Sequence, residues 1–105
     1  MVDVSEKSQT QRRAIAMGRV KLSAEAFRIL NEGRAGKGDV LAAARIAGIM
    51  AAKKTSELVP LCHQIALSSV RVELSMESSS QSVLIEASVK ANDQTGVEME
   101  ALTAV

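Results

Sequence analysis

The chain has 105 residues, 47% of them hydrophobic and 24% charged, enough for one small domain over residues 1–105 and too few for two. Thirteen Lys and Arg stand against 12 Asp and Glu, and the net charge of +1 excludes a protein that is basic overall, so no nucleic-acid partner is expected. No apolar run approaches the roughly 18 residues that cross a membrane, and no basic start with an apolar core marks a signal peptide. The single cysteine, Cys62, has no internal disulfide partner, and the expected location is a reducing cytoplasm with no membrane partner. Phe27 is the one aromatic residue, which argues against base stacking on aromatic platforms. The core must come from Ala, Val, Ile, Leu and Met, side chains that mostly bury little area each. A chain of this kind gains stability from a partner subunit, and a homo-oligomer is expected.

Residues 1–11 are polar and predicted irregular. From Arg12 to Leu22 a period of two places Ala14, Ala16, Gly18 and Val20 on one side and Arg13, Ile15, Met17 and Arg19 on the other, which predicts a strand. Ser23 is placed as an N-cap, Glu25 in the first turn and Gly33 as a stop, predicting a short helix over 24–32 that buries Phe27 and Leu30.

Asp39 is the expected N-cap of the longest helix, residues 40 to about 57. This segment is apolar almost all round and rich in Ala and Gly, which predicts cover on more than one face. Leu61, Cys62, His63 and Gln64 follow Pro60 as an irregular connection. Val70, Val72, Leu74 and Met76, then Val83, Ile85, Ala87 and Val89, alternate with polar residues around a Ser-rich turn and predict a β-hairpin. Thr95 and Glu98 have the spacing of a capping box, so a helix is expected from Gly96 onward. The series of strand, helix, helix, strand, strand, helix lacks the closing strand of a split βαβ layout.

The residues that carry chemistry are few. His63, the lone histidine, reads as a structural residue or as a ligand-binding one. One Cys and one His leave two zinc ligands to be found among carboxylates without ligand spacing, so no metal site is expected. Cys62 and His63 are adjacent, and adjacent side chains seldom point at one another, which argues against a nucleophile–base pair. Lys37, between two glycines and ahead of a helix, resembles a small phosphate cradle without being a P-loop; a solvated turn lysine is the alternative. Glu98 and Glu100, two residues apart on a helix, are separated by about 200° of rotation and are expected to face opposite ways. Glu98 then serves the cap and Glu100 is left to face a site. Lys53 and Lys54 are divided between faces in the same way, one of them solvated.

The wording of two stretches is more specific than their spacing. KGDVLAAARIAGIMAAKKTSELVPLCH and TGVEMEALTAV, together with the opening MVDVS, closely resemble the cyclic pyranopterin monophosphate synthase family of molybdenum cofactor biosynthesis, over essentially the whole chain. The resemblance implies an α+β, ferredoxin-like subunit with an antiparallel sheet packed against helices. It also implies a hexamer built as a trimer of dimers, with sites at the subunit interface. The implied enzyme is a lyase that converts 3′,8-cyclo-7,8-dihydroguanosine 5′-triphosphate to cyclic pyranopterin monophosphate and pyrophosphate. No redox change is involved, so no cofactor is expected beyond Mg²⁺ that can accompany the triphosphate.

By the same resemblance, Leu61, Cys62 and His63 form one substrate-binding stretch and Met99 and Glu100 a second, while Lys37 and Lys53 are catalytic. Cations near a triphosphate make charge-assisted contacts, and a desolvated lysine can move a proton near neutral pH. Gln64 stands where many members have proline, a change expected to be tolerated. The family continues beyond the position of Val105 with an Asp-Met-Cys-Lys segment whose aspartate and lysine are taken as catalytic. The chain is therefore expected to be part of a longer enzyme. The alternatives are a catalytically incomplete nucleotide-binding or assembly module of the same family, or a non-enzymatic nucleotide-binding domain that reuses the fold.

Overall fold

A computed structural model describes residues 2–6, 8–33, 36 and 38–105. The three segments with a period of two become strands β1 (Thr10–Lys21), β2 (Leu67–Glu77) and β3 (Ser82–Asp93). They form one antiparallel sheet in the order β1-β3-β2. Side chains alternate across a strand, so the pairing sorts residues into rows. Ala16, Ala87 and Val72 lie side by side on one face, and Met17, Glu86 and Glu73 on the other. β2 and β3 run further than the alternation alone predicts, and the serine-rich turn between them closes with Gln81 in the left-handed region, at φ 52°.

Among the described residues there are also four helices: α1 (Ala24–Asn31), α2 (Val40–Lys53), α3 (Thr55–Leu58) and α4 (Glu98–Ala104). The first two begin as their sequences predict. Ser23 Oγ accepts from the Ala26 amide at 3.1 Å, and Asp39 Oδ1 from the Ala42 amide at 3.0 Å, each satisfying a donor the helix leaves orphaned. α1 buries Phe27 and stops before Gly33.

Three expectations change. The long helix does not run unbroken to residue 57 but breaks at Lys54. There the Lys54 amide tightens onto the Ala51 carbonyl at 3.0 Å, and the buried Thr55 hydroxyl donates to the Ala52 carbonyl at 2.8 Å, replacing the bonding a continuous helix would use. Nor is α2 covered on several faces. Gly48 and Ala52 are buried, whereas Ile46 and Met50 are 58% and 52% exposed. The capping box at Thr95 does not form either. Val97, 1% exposed, is drawn into the core and becomes the N-cap residue, so the helix begins at Glu98 with no side-chain cap.

α2 and α4 lie together on one face of the sheet. Ala16, Val89, Ala91, Val97 and Ala101 form one core cluster, and Ala52, Val72, Ala87 and Ala104 the next, with Val105 packed against both. Small residues are what this arrangement requires. A methyl group on Gly48 would stand 2.7 Å from the Ala104 carbonyl oxygen, so α4 can lie this close to α2 only over a glycine. Arg45 ties α2 to the sheet by donating from Nε to the carbonyl of Val72, on the edge strand β2, at 3.0 Å. The fold is α+β, an antiparallel sheet packed against helices, in the order a ferredoxin-like domain begins with except that three helices, α1 to α3, stand between β1 and β2.

Candidate active site

The loop after α3 turns sharply at Leu61, a residue held at φ 67°. A non-glycine residue in that region costs about 1 kcal/mol, and the turn brings Cys62 and His63 beside the start of α4. The opposite wall is the segment that joins β3 to α4. Arg12 fixes it, donating from Nε to the Asp93 carbonyl at 3.2 Å and from Nη2 to the Gln94 carbonyl at 3.3 Å. Asp93 Oδ1 accepts from the Gln94 amide at 2.7 Å, and buried Val97 pins the far end. Val2 and Val4 of the N-terminal segment close another side.

These pieces enclose a cavity of about 250 Å³. Leu61, Cys62, His63, Met99 and Glu100, all singled out by resemblance, line it together, although they come from two segments far apart in the chain. Lys53 does not line it. That lysine is exposed in the last turn of α2. Lys37 lies outside the described residues. A separate cavity of about 290 Å³ is lined by Gly33, Gly38, Asp39 and Leu41 among others.

Glu100 is the electrostatic centre of the first cavity. It is 4% exposed, and burial pushes its carboxyl above the ordinary range; its own backbone N–H opposes the shift, while the charges of Glu98 and Asp93 reinforce it. Asp3 moves the other way, lowered chiefly by the hydrogen bond it accepts from the Ser5 amide at 2.9 Å and slightly by His63 nearby. No Lys or Arg is among the described residues lining the cavity. It therefore presents acceptors to a ligand that brings donors.

Glu98 is the residue that sequence reasoning misplaced. It lines the same cavity as Glu100 instead of facing the other way. A separation of about 200° holds only inside a regular helix, and Glu98 is the first residue of α4, with its carboxylate folded back over Gly96. Thr95, expected as a cap, is also part of the wall. Nothing in the spacing signals either outcome, because both follow from the burial of Val97. Among the described residues there is no group of three His, Cys, Asp or Glu arranged to hold a metal, and no helix is long and apolar enough to cross a membrane.

The chain is thus an α+β domain with an acceptor-rich cavity between a Leu-Cys-His loop and a Met-Glu helix start, the kind of concave site that small molecules occupy. The particular family follows from comparison: the MoaC family profile matches residues 1–105, and the chain belongs to that family. Proteins named cyclic pyranopterin monophosphate synthase resemble it along its whole length. The one from Cereibacter sphaeroides is 57% identical over 105 residues, which span 66% of that protein. Those from Thermomicrobium roseum and Heliobacterium modesticaldum are 56% and 53% identical, with 63% and 66% of their lengths covered. The chain thus spans about two thirds of the length of the curated relatives it matches.

Proposed function

We propose that the protein acts as a cyclic pyranopterin monophosphate synthase, a lyase of molybdenum cofactor biosynthesis that releases pyrophosphate from 3′,8-cyclo-7,8-dihydroguanosine 5′-triphosphate. The observation that carries this reading is the meeting of Leu61, Cys62, His63, Met99 and Glu100 around one cavity. The guanine-derived ring system offers N–H and NH₂ donors along one edge, and Glu100, with Glu98 beside it, supplies acceptors that suit them. A carboxyl raised by burial also takes up a proton more readily than an exposed one, which suits it to proton transfer.

The triphosphate needs cations, and the acceptor-lined cavity has none among its described residues. Lys37 and Lys53 take that role in this proposal, holding phosphate oxygens and moving protons as the rings open and close. Mg²⁺ enters only as the companion of the triphosphate, and no resident cofactor is used. The working form is a homo-oligomer in the cytoplasm, a hexamer of three dimers, with each site completed at a subunit interface. Support for assembly comes from the sheet face that no helix covers. Ile15 and Met17 are 52% and 74% exposed there. Around them lie Arg13, Arg71, Glu73 and Glu86, charges of both signs that a second copy can complement.

The test is pyrophosphate release from the cyclised dihydroguanosine triphosphate by the purified protein. Multiple turnovers, with a raised KM in His63→Ala, are expected. Tight binding of the substrate without any release would replace the enzyme by the incomplete binding module of the same family.

A further inference from the structure

We infer that Gly96 is a positioning residue for this cavity, holding Glu98 at its wall by having no side chain. The inference rests on the functional reading above and adds to it a residue of the cavity wall that acts through the Glu98 carboxylate. The observation is steric. A Cβ built on Gly96 would run into both carboxylate oxygens of Glu98 and stand 2.7 Å from its Cδ. Real Cβ atoms do not approach other heavy atoms so closely, so the carboxylate rests in the space that a side chain at position 96 would fill. Glu98 stays where it lines the cavity with Glu100 only while residue 96 is glycine.

The conflict involves the far end of a flexible side chain and no backbone, so the fold tolerates an added methyl group by swinging the Glu98 carboxylate away. Gly96 does not have the positive φ of Gly33 and Gly38, so alanine is not excluded there by backbone conformation. Gly96→Ala is therefore a clean perturbation: it moves one carboxylate and leaves the chain path alone. The loop that carries residue 96 is itself fixed by Arg12 on one side and Val97 on the other, which keeps the displacement from being absorbed by the backbone.

The experiment is a double-mutant cycle on kcat/KM for pyrophosphate release, using the parent, Gly96→Ala, Glu98→Ala and the double variant. Gly96→Ala is expected to lower kcat/KM at least tenfold with an unchanged melting temperature, and to cause no further loss once Glu98 is alanine. The ¹³C carboxyl resonance of Glu98 in the ligand-free protein is expected to move in Gly96→Ala. Losses that multiply in the double variant, or parental activity in Gly96→Ala, would overturn the inference. So would an unmoved Glu98 resonance. If the parent itself releases no pyrophosphate, the functional reading fails, and the Glu98 resonance alone still decides whether Gly96 holds that carboxylate.

Discussion

The two faces of the sheet are built on opposite principles. The face under α2 and α4 is dry and packs closest where its residues are smallest: Ala16, Ala87 and Ala91 are 8% exposed or less, Gly48 is pressed against α4, and Val72, Val89, Leu74 and Ile85 fill the space around them. The opposite face carries Ile15, Met17 and Leu84 among charges of both signs, on the side of the sheet away from α2 and α4. Apolar burial contributes about 25 cal/mol per Å², so a core of alanines is weak per residue unless the helices come very close. The covered face obtains its contacts from proximity. The open face leaves Ile15 and Met17 exposed, apolar side chains that a second copy can bury.

Gly48→Val strikes the covered face hardest. The Ala104 carbonyl is backbone and cannot rotate aside, so α4 must lift from α2. Overpacking of this kind costs about 3 kcal/mol, a large share of the roughly 5–15 kcal/mol that holds a small domain together. Urea denaturation measures it; a midpoint within error of the parent would mean that α4 is held less tightly than the geometry states.

How much of this was readable beforehand differs between the same regions. The strands, the Ser23 and Asp39 caps and the hairpin follow from local rules, because a period of two or a capping oxygen acts over a few residues. The break at Lys54 and the late start of α4 do not. Thr55 and Val97 are buried, at 1% exposure each, and tertiary burial overrode the local signals of a continuous helix and a capping box. The site shows the same division. The wording around Cys62 and Met99 singled out the two segments, yet only the fold brings Glu98 to the same wall as Glu100.

Met17→Lys sharpens the comparison from the open side. Met17 lies opposite Glu86 across β1 and β3, so a lysine there gains an opposite-charge neighbour worth a few tenths of a kcal/mol, and the isolated subunit is not harmed. In an assembled protein the same lysine is buried at the interface and weakens it. Light scattering is expected to give a multiple of the 11.1 kDa chain mass for the protein as sequenced and a smaller multiple for the variant. An identical mass for both would show that the second copy seats elsewhere.

Glu100→Gln has a smaller effect on stability than Gly48→Val, and its sign separates a site residue from a core residue. The Glu100 carboxyl is raised by burial, so the folded chain holds that proton more tightly than the unfolded chain does. Its contribution is most favourable below the ordinary carboxylate range and is lost as pH rises through the raised value. At neutral pH the folded protein therefore carries a cost that glutamine does not. The variant is expected to melt above the parent at about pH 7.5 and to match it at about pH 4. Over the same change, pyrophosphate release is expected to fall at least tenfold, because glutamine offers one acceptor where the carboxylate offers two and cannot take up a proton. Greater stability with lower activity is the mark of a carboxylate kept buried for its ligand. A variant less stable than the parent at both pH values would instead make Glu100 a structural partner within α4.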